Sequence, residues 1–139
     1  MATAHRPEDL DAWKLAAELR DRVLGWSERL GPANDFLKSQ IVRSVVSPPA
    51  NLAEGFGHFK PRQFAKFARI ARASLFETRD HLRLAVACAA MSGDLANELI
   101  TLTNRTIGAV TALIRYLDRC PADPMIGWNA PDAKTRRQR

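Results

Sequence analysis

The sequence predicts an all-α protein, an antiparallel up-down-up-down four-helix bundle. Three observations carry this. Four stretches place apolar residues at alternating spacings of three and four, which lines one face of a helix. Short Gly/Pro/Ser-containing connections separate them, and short connections favour antiparallel neighbours. No run alternates with a period of two between hairpin turns, so no strand is needed.

The first helix is expected from Pro7 to Leu30. Ala12, Ala16, Leu19, Val23, Trp26 and Leu30 form its stripe, widened by Leu10, Trp13, Ala17 and Leu24. Gly31-Pro32 should stop it, glycine taking a left-handed cap that proline cannot follow. The second helix is expected from Asp35 to Phe56, with Leu37, Ile41, Val45 and Leu52 inward. Pro48 and Pro49 each remove a backbone donor, so a kink or short break near Ser47 is expected. Ser47 would then cap the restart. The third helix is expected from Pro61 to Met91. Its stripe of Phe64, Ala68, Ala71, Leu75, Thr78, Leu82, Ala85 and Ala89 never slips. Ser92-Gly93-Asp94 reads as a tight turn. The fourth helix runs to about Tyr116 on Leu95, Leu99, Leu102, Thr106, Val110 (or Ala109), Leu113 and Leu117. Residues 1–120 form the bundle domain in this reading. Residues 121–139 form a mobile basic tail ending in Lys134-Thr135-Arg136-Arg137-Gln138-Arg139, with Trp128 as a docking or exposed ring.

The chain has 139 residues, enough for a single core, and its 46% hydrophobic content excludes a wholly disordered protein. Lys and Arg outnumber Asp and Glu by 21 to 15, a net charge of +6, which favours an acidic partner. Cys88 and Cys120 lie in no metal-binding spacing, and Cys88 reads as a small buried hydrophobe. The N-terminus lacks an apolar signal segment, and no apolar run reaches membrane-spanning length. The expected location is therefore cytoplasmic, with no membrane partner.

Several pieces resemble a known family. They are Asp9-Leu10-x-x-Trp13, Leu37-x-Ser39-Gln40-Ile41-x-Arg43, Ser47-x-Pro49-x-Asn51-Leu52-Ala53-Glu54-Gly55-x-Gly57, Phe64-x-x-Phe67-x-x-Ile70-Ala71 and Ser74-x-x-Glu77. On these the chain resembles the four helix bundle proteins, also called the 23S rRNA intervening-sequence protein family, over about Asp9 to Leu117. The resemblance implies a small bacterial protein forming a ring of five subunits. Some such proteins are encoded within ribosomal RNA genes. A related branch comprises accessory proteins of diversity-generating retroelements, which bind nucleic acid and a reverse transcriptase. It implies no catalytic residue. The chain departs from the family pattern at Pro48, usually apolar, at Lys60 and Gln63, usually a Ser/Glu capping box, and at Ala73, often Gly.

No constellation in the sequence specifies catalysis. Arg43, Asn51, Glu54, Ser74 and Glu77 read as a structural polar network between the second and third helices, with a ligand site or a subunit contact as the other readings. Glu54/His58 and Glu77/His81 are i,i+4 pairs but not the Glu-x-x-His of a di-iron bundle, so neither a metal nor any other cofactor is expected. A metal enzyme would require Glu54, Glu77 and His81 to converge. The serines lack a triad context, and Gly55-x-Gly57 lacks the strand and further glycine of a phosphate loop. Arg62, Lys66, Arg69, Arg72, Arg79 and Arg83 instead share one side of the third helix. They read as a surface for nucleic-acid phosphates, RNA or DNA, against the plainer alternative of a solvated face.

The expected function is thus a non-enzymatic oligomeric binding module, with a ring-shaped protein-interaction scaffold as the alternative. Apolar residues beyond one stripe per helix argue for self-association, and the resemblance selects a homopentamer. Leu10, Trp13, Phe67 and Ile70 are the expected interface residues.

Overall fold

The computed structural model describes residues 4–121, and the tail with Trp128 lies outside them. Four helices account for nearly all of it: α1 (Asp11–Ser27), α2 (Asp35–Gly57), α3 (Pro61–Ala87) and α4 (Gly93–Arg119). Each packs on its sequence neighbours, and α1 closes the ring against α4, while the diagonal pairs stay apart. Partner positions run in opposite directions along α2–α3 and along α3–α4. Arg43 meets Glu77 and Ser47 meets Ser74; Arg79 meets Asn104 and Arg69 meets Asp118. These neighbours are therefore antiparallel.

The predicted stripes form the core, except that Ala89, at the end of the third-helix stripe, lies beyond α3 and is exposed. Phe64, Ala68, Ala71, Leu75, Thr78, Leu82 and Ala85 of α3 are all 0% exposed. Leu19, Val23, Ile41, Val45, Leu52, Leu99 and Val110 join them from the other helices, and Val110, not Ala109, takes the inward position.

The helix ends differ from the sequence reading, each for a local reason. Residues Pro7–Asp9 form a separate 3-10 turn. The Asp9 carboxylate accepts the backbone N–H groups of His5 and Arg6, and the His5 bond above all holds that carboxyl below its ordinary range. Leu10 then takes an extended conformation and drops its side chain into the core, 4% exposed. Gly31 is extended at φ −82°, not left-handed, because α1 has already ended at Ser27. Proline does not break α2, which stays helical through Pro48 and Pro49, both buried. Ser47 therefore caps no restart.

Two non-glycine residues carry the left-handed turns, Phe59 at φ 53° and Ala89 at φ 56°. Such a conformation costs roughly 1–3 kcal/mol for a residue with a Cβ. At Ala89 it ends α3 four residues early, so that both Ala90 N and Met91 N donate to Ala85 O, at 2.9 and 3.2 Å. Met91 returns to the core at 6% exposed. Cys88 at this corner is exposed rather than buried. Ser92 is not a turn residue but the N-cap of α4, its Oγ accepting Leu95 N at 3.2 Å.

Gly55 lies within α2 and permits the helix to approach α3. A Cβ there would stand 2.8 Å from Phe67 Cβ and 2.9 Å from Phe64 Cδ1, whereas one at Gly108 of α4 meets nothing within 4 Å. Two substitutions of the same kind should have opposite signs in urea unfolding. Gly55→Ala should destabilise by about 1–2 kcal/mol despite the better helix former, because overpacking outweighs propensity. Gly108→Ala should stabilise by about 0.5–1 kcal/mol. In the same assay Ala89→Gly should stabilise by up to about 1 kcal/mol by relieving the left-handed turn.

Candidate functional site

Two surfaces are candidate sites, and both border α3. The first is a polar seam between α2 and α3. Ser44, Ser47 and Asn51 repeat at three and four residues along α2, and Ser74, Thr78 and His81 at four and three along α3. Antiparallel packing brings these two rows together. Thr78 Oγ1 lies 3.1 Å from Ser44 Oγ and 2.9 Å from Ser74 O, within donating distance of either. Ser44 Oγ lies 3.0 Å from Ile41 O and 3.1 Å from His81 Nδ1. Further along, Ser47 Oγ and Ser74 Oγ are 2.8 Å apart, and Asn51 Nδ2 donates to both Ser47 O and Ser47 Oγ at 2.9 Å. At the rim the Arg43 guanidinium pairs with the Glu77 carboxylate.

Of the five residues expected in this network, Arg43, Asn51, Ser74 and Glu77 are in it. Glu54 is not: it is exposed and makes no ion pair or hydrogen bond among the described residues. Sequence reasoning missed Ser44, Ser47, Thr78 and His81 as network members. The signal was present as two polar rows with helical spacing beside the apolar stripes.

The seam has a serine beside a histidine, but not the geometry of a nucleophile. Ser44 is 1% exposed, so a substrate cannot reach its oxygen. Its hydroxyl donates to Ile41 O at 3.0 Å. Among the described residues no group of three or more His, Cys, Asp or Glu could hold a metal ion. His58 stacks on Phe67 instead, ring centroids 5.1 Å apart.

The second surface is the cationic side of α3. Arg69 is paired with Asp118 at 2.7 Å. Arg79 donates to Asn104 at 2.7 Å and lies 4.6 Å over the Phe76 ring. Arg83 borders a shallow open groove of about 290 Å³ with Val86, Asn97 and Ile100. These partners place that row of arginines along the α3–α4 edge. Arg62, Lys66, Arg72 and Arg83 have no ion pair or hydrogen bond among the described residues. The six expected residues thus divide into two already engaged with α4 and four whose charge is free.

The expected interface residues divide too. Leu10 is core and cannot lie at a subunit contact. Trp13 is partly buried against the core, with the Arg20 guanidinium 5.9 Å from its ring. Phe67 is half-buried under Gly55 and against His58. Ile70 is 42% exposed. Trp26 serves the fold, donating Nε1–H to Ala90 O at 3.2 Å. The exposed apolar residues also include Phe36, Phe76 and Leu84.

The buried part of the seam should carry its energy. Ser44→Ala and Thr78→Val should each cost about 1–2 kcal/mol in urea unfolding. The double variant should cost less than the sum by about 0.5 kcal/mol or more, because both remove one shared hydrogen bond. Arg43→Gln should cost less than about 1 kcal/mol, since that pair is exposed.

Comparison with known proteins agrees with this architecture. No curated protein matches the chain. Among solved structures, the bundle is similar to a protein of unknown function from the S23 ribosomal protein family of Bacteroides thetaiotaomicron. The TM-score is 0.70 at 18% identity, covering 75% of this chain and 95% of that one. That likeness is one of fold. The family described as 23S rRNA-intervening sequence protein matches residues 8–112, which take in α1, the whole α2–α3 seam and most of α4. With most of the chain inside that match, the protein belongs to the 23S rRNA-intervening sequence protein family.

Proposed function

We infer that the protein is a non-enzymatic, oligomeric binding module that contacts the phosphate backbone of RNA or DNA through α3. One observation carries this reading. Arg62, Lys66, Arg72 and Arg83 sit along one long helix with no carboxylate partner among the described residues. The helix has only two acids, Glu77 and Asp80, and Glu77 is engaged by Arg43. Unpaired cations on a rigid helix suit phosphates, which release counterions on binding. Contacts of this kind position a nucleic acid without reading its sequence. The overall charge of +6 supports the same reading, and self-association would multiply it.

A ring-shaped protein-interaction scaffold is the second reading, supported by the exposed apolar side chains Phe36 at 76%, Phe76 at 48%, Ile70 at 42% and Leu84 at 40%. In either case the family resemblance favours a homopentamer. With Leu10 in the core, its contacts fall to Ile70 and its exposed neighbours on α3. No helix among the described residues is long and apolar enough to cross a membrane.

Binding to mixed-sequence RNA and DNA, followed by fluorescence anisotropy across a salt series, tests the first reading. Affinity should fall steeply as salt rises. Arg72→Gln or Lys66→Gln should lower the salt slope by about 1. Arg69→Gln should change it less, because its charge already faces Asp118. Absence of binding at low salt, or affinity indifferent to salt, would refute the reading. Light scattering should give about five times the 15.5 kDa subunit mass, and Ile70→Glu should lower that mass while the helical signal persists. A monomeric wild-type protein would sink the oligomer.

A further inference from the structure

The turn between α2 and α3 is built against local preference. Phe59 is held at φ 53°, a region that disfavours bulky side chains, and glycine would make the same turn without strain. Burial is an incomplete explanation, because the residue is 49% exposed. It approaches Phe56 edge to face, centroids 5.9 Å apart. The adjacent His58, also exposed, lies flat on Phe67 with the ring planes 12° apart.

Cations follow these rings in the chain. Lys60, Arg62 and Lys66 follow in the turn and the first turns of α3, all exposed and without an ion pair among the described residues. Glu54 is the nearest preceding acid in the chain. Flat aromatic faces beside unpaired cations match the two chemical features of a single nucleic-acid strand, its unstacked bases and its phosphates. A duplex hides its base faces. An apolar protein surface would match the rings and leave the three cations without counterparts.

We propose that the α2–α3 tip is a base-stacking platform for single-stranded nucleic acid. Phe59 and the His58–Phe67 stack take the bases, and Lys60, Arg62 and Lys66 hold the phosphates. The proposal rests on the phosphate-binding reading above and adds to it a ligand class, a strand with accessible bases.

The test uses the full chain at low salt and two labelled strands of about 12 nucleotides, one with bases and one abasic. The base-bearing strand should bind at least about fivefold more tightly, and Phe59→Gly should remove most of that preference. Glycine suits the left-handed turn, and Phe59→Asn, which also tolerates it, should behave alike, so loss of the ring is separable from loss of the fold. Equal, salt-dependent binding of both strands would overturn the stacking platform and leave the phosphate reading standing. No binding of either strand would remove both. A preference that survives Phe59→Gly would place base recognition elsewhere. Unchanged binding with an altered mass in light scattering would assign the ring to a protein contact and overturn the proposal.

Discussion

The close approach of α2 to α3 at Gly55 is the constraint on which the other features of the molecule depend. With no Cβ at that position, the Phe64 backbone and the Phe67 Cβ lie where a side chain would otherwise be. This contact fixes the separation of the two helices at one end. The hydroxyl seam fixes their register along the rest, since Ser44 must meet Thr78 and Ser47 must meet Ser74. Apolar stripes alone would tolerate sliding by a turn, because leucine and alanine contacts are non-directional. Hydrogen bonds among buried hydroxyls do not, because an unpaired one is costly.

That register determines what α3 offers to solvent. With Thr78 and Ser74 turned toward α2 and the alanine-rich stripe turned inward, the arginine row falls on the α4 edge and the outer face. Two of its members are then engaged by α4, Arg69 by Asp118 and Arg79 by Asn104. Half-exposed pairs of this kind add little stability. Their consequence is electrostatic: they neutralise or tie down part of the row and leave Arg62, Lys66, Arg72 and Arg83 available. The free charge of the helix is smaller than its number of cations implies.

The same contact shapes the α2–α3 tip. Phe67 is held under Gly55 and becomes the base on which His58 stacks. The chain must then reverse within Gly57 to Lys60, and Phe59 takes the strained position in that reversal. Aromatic rings and cations distant from any apolar stripe are collected at one end of the bundle as a result.

The sequence by itself determined the helices and their inward faces. Spacings of three and four decide which side of a helix is apolar, and burial then follows whichever way the helices are joined; the α3 stripe is buried from Phe64 to Ala85, and only Ala89, past the helix end, is exposed. The motif around Asn51–Gly57 also sufficed to indicate the family. Tertiary structure alone decided how polar and marginal residues were used. Leu10 and Met91 sit at helix ends, where a single extended or left-handed residue turns a side chain inward, and periodicity has no force outside a helix. Cys88 is exposed because Ala89 reverses the chain beside it. Pro48 and Pro49 are accommodated within a continuous α2. Glu54 lies outside the seam and Ser44 within it, although both are polar residues of one helix. Which polar face meets a neighbour depends on the crossing of two helices, and that crossing is set by the missing Cβ at Gly55, a contact between residues far apart in the chain.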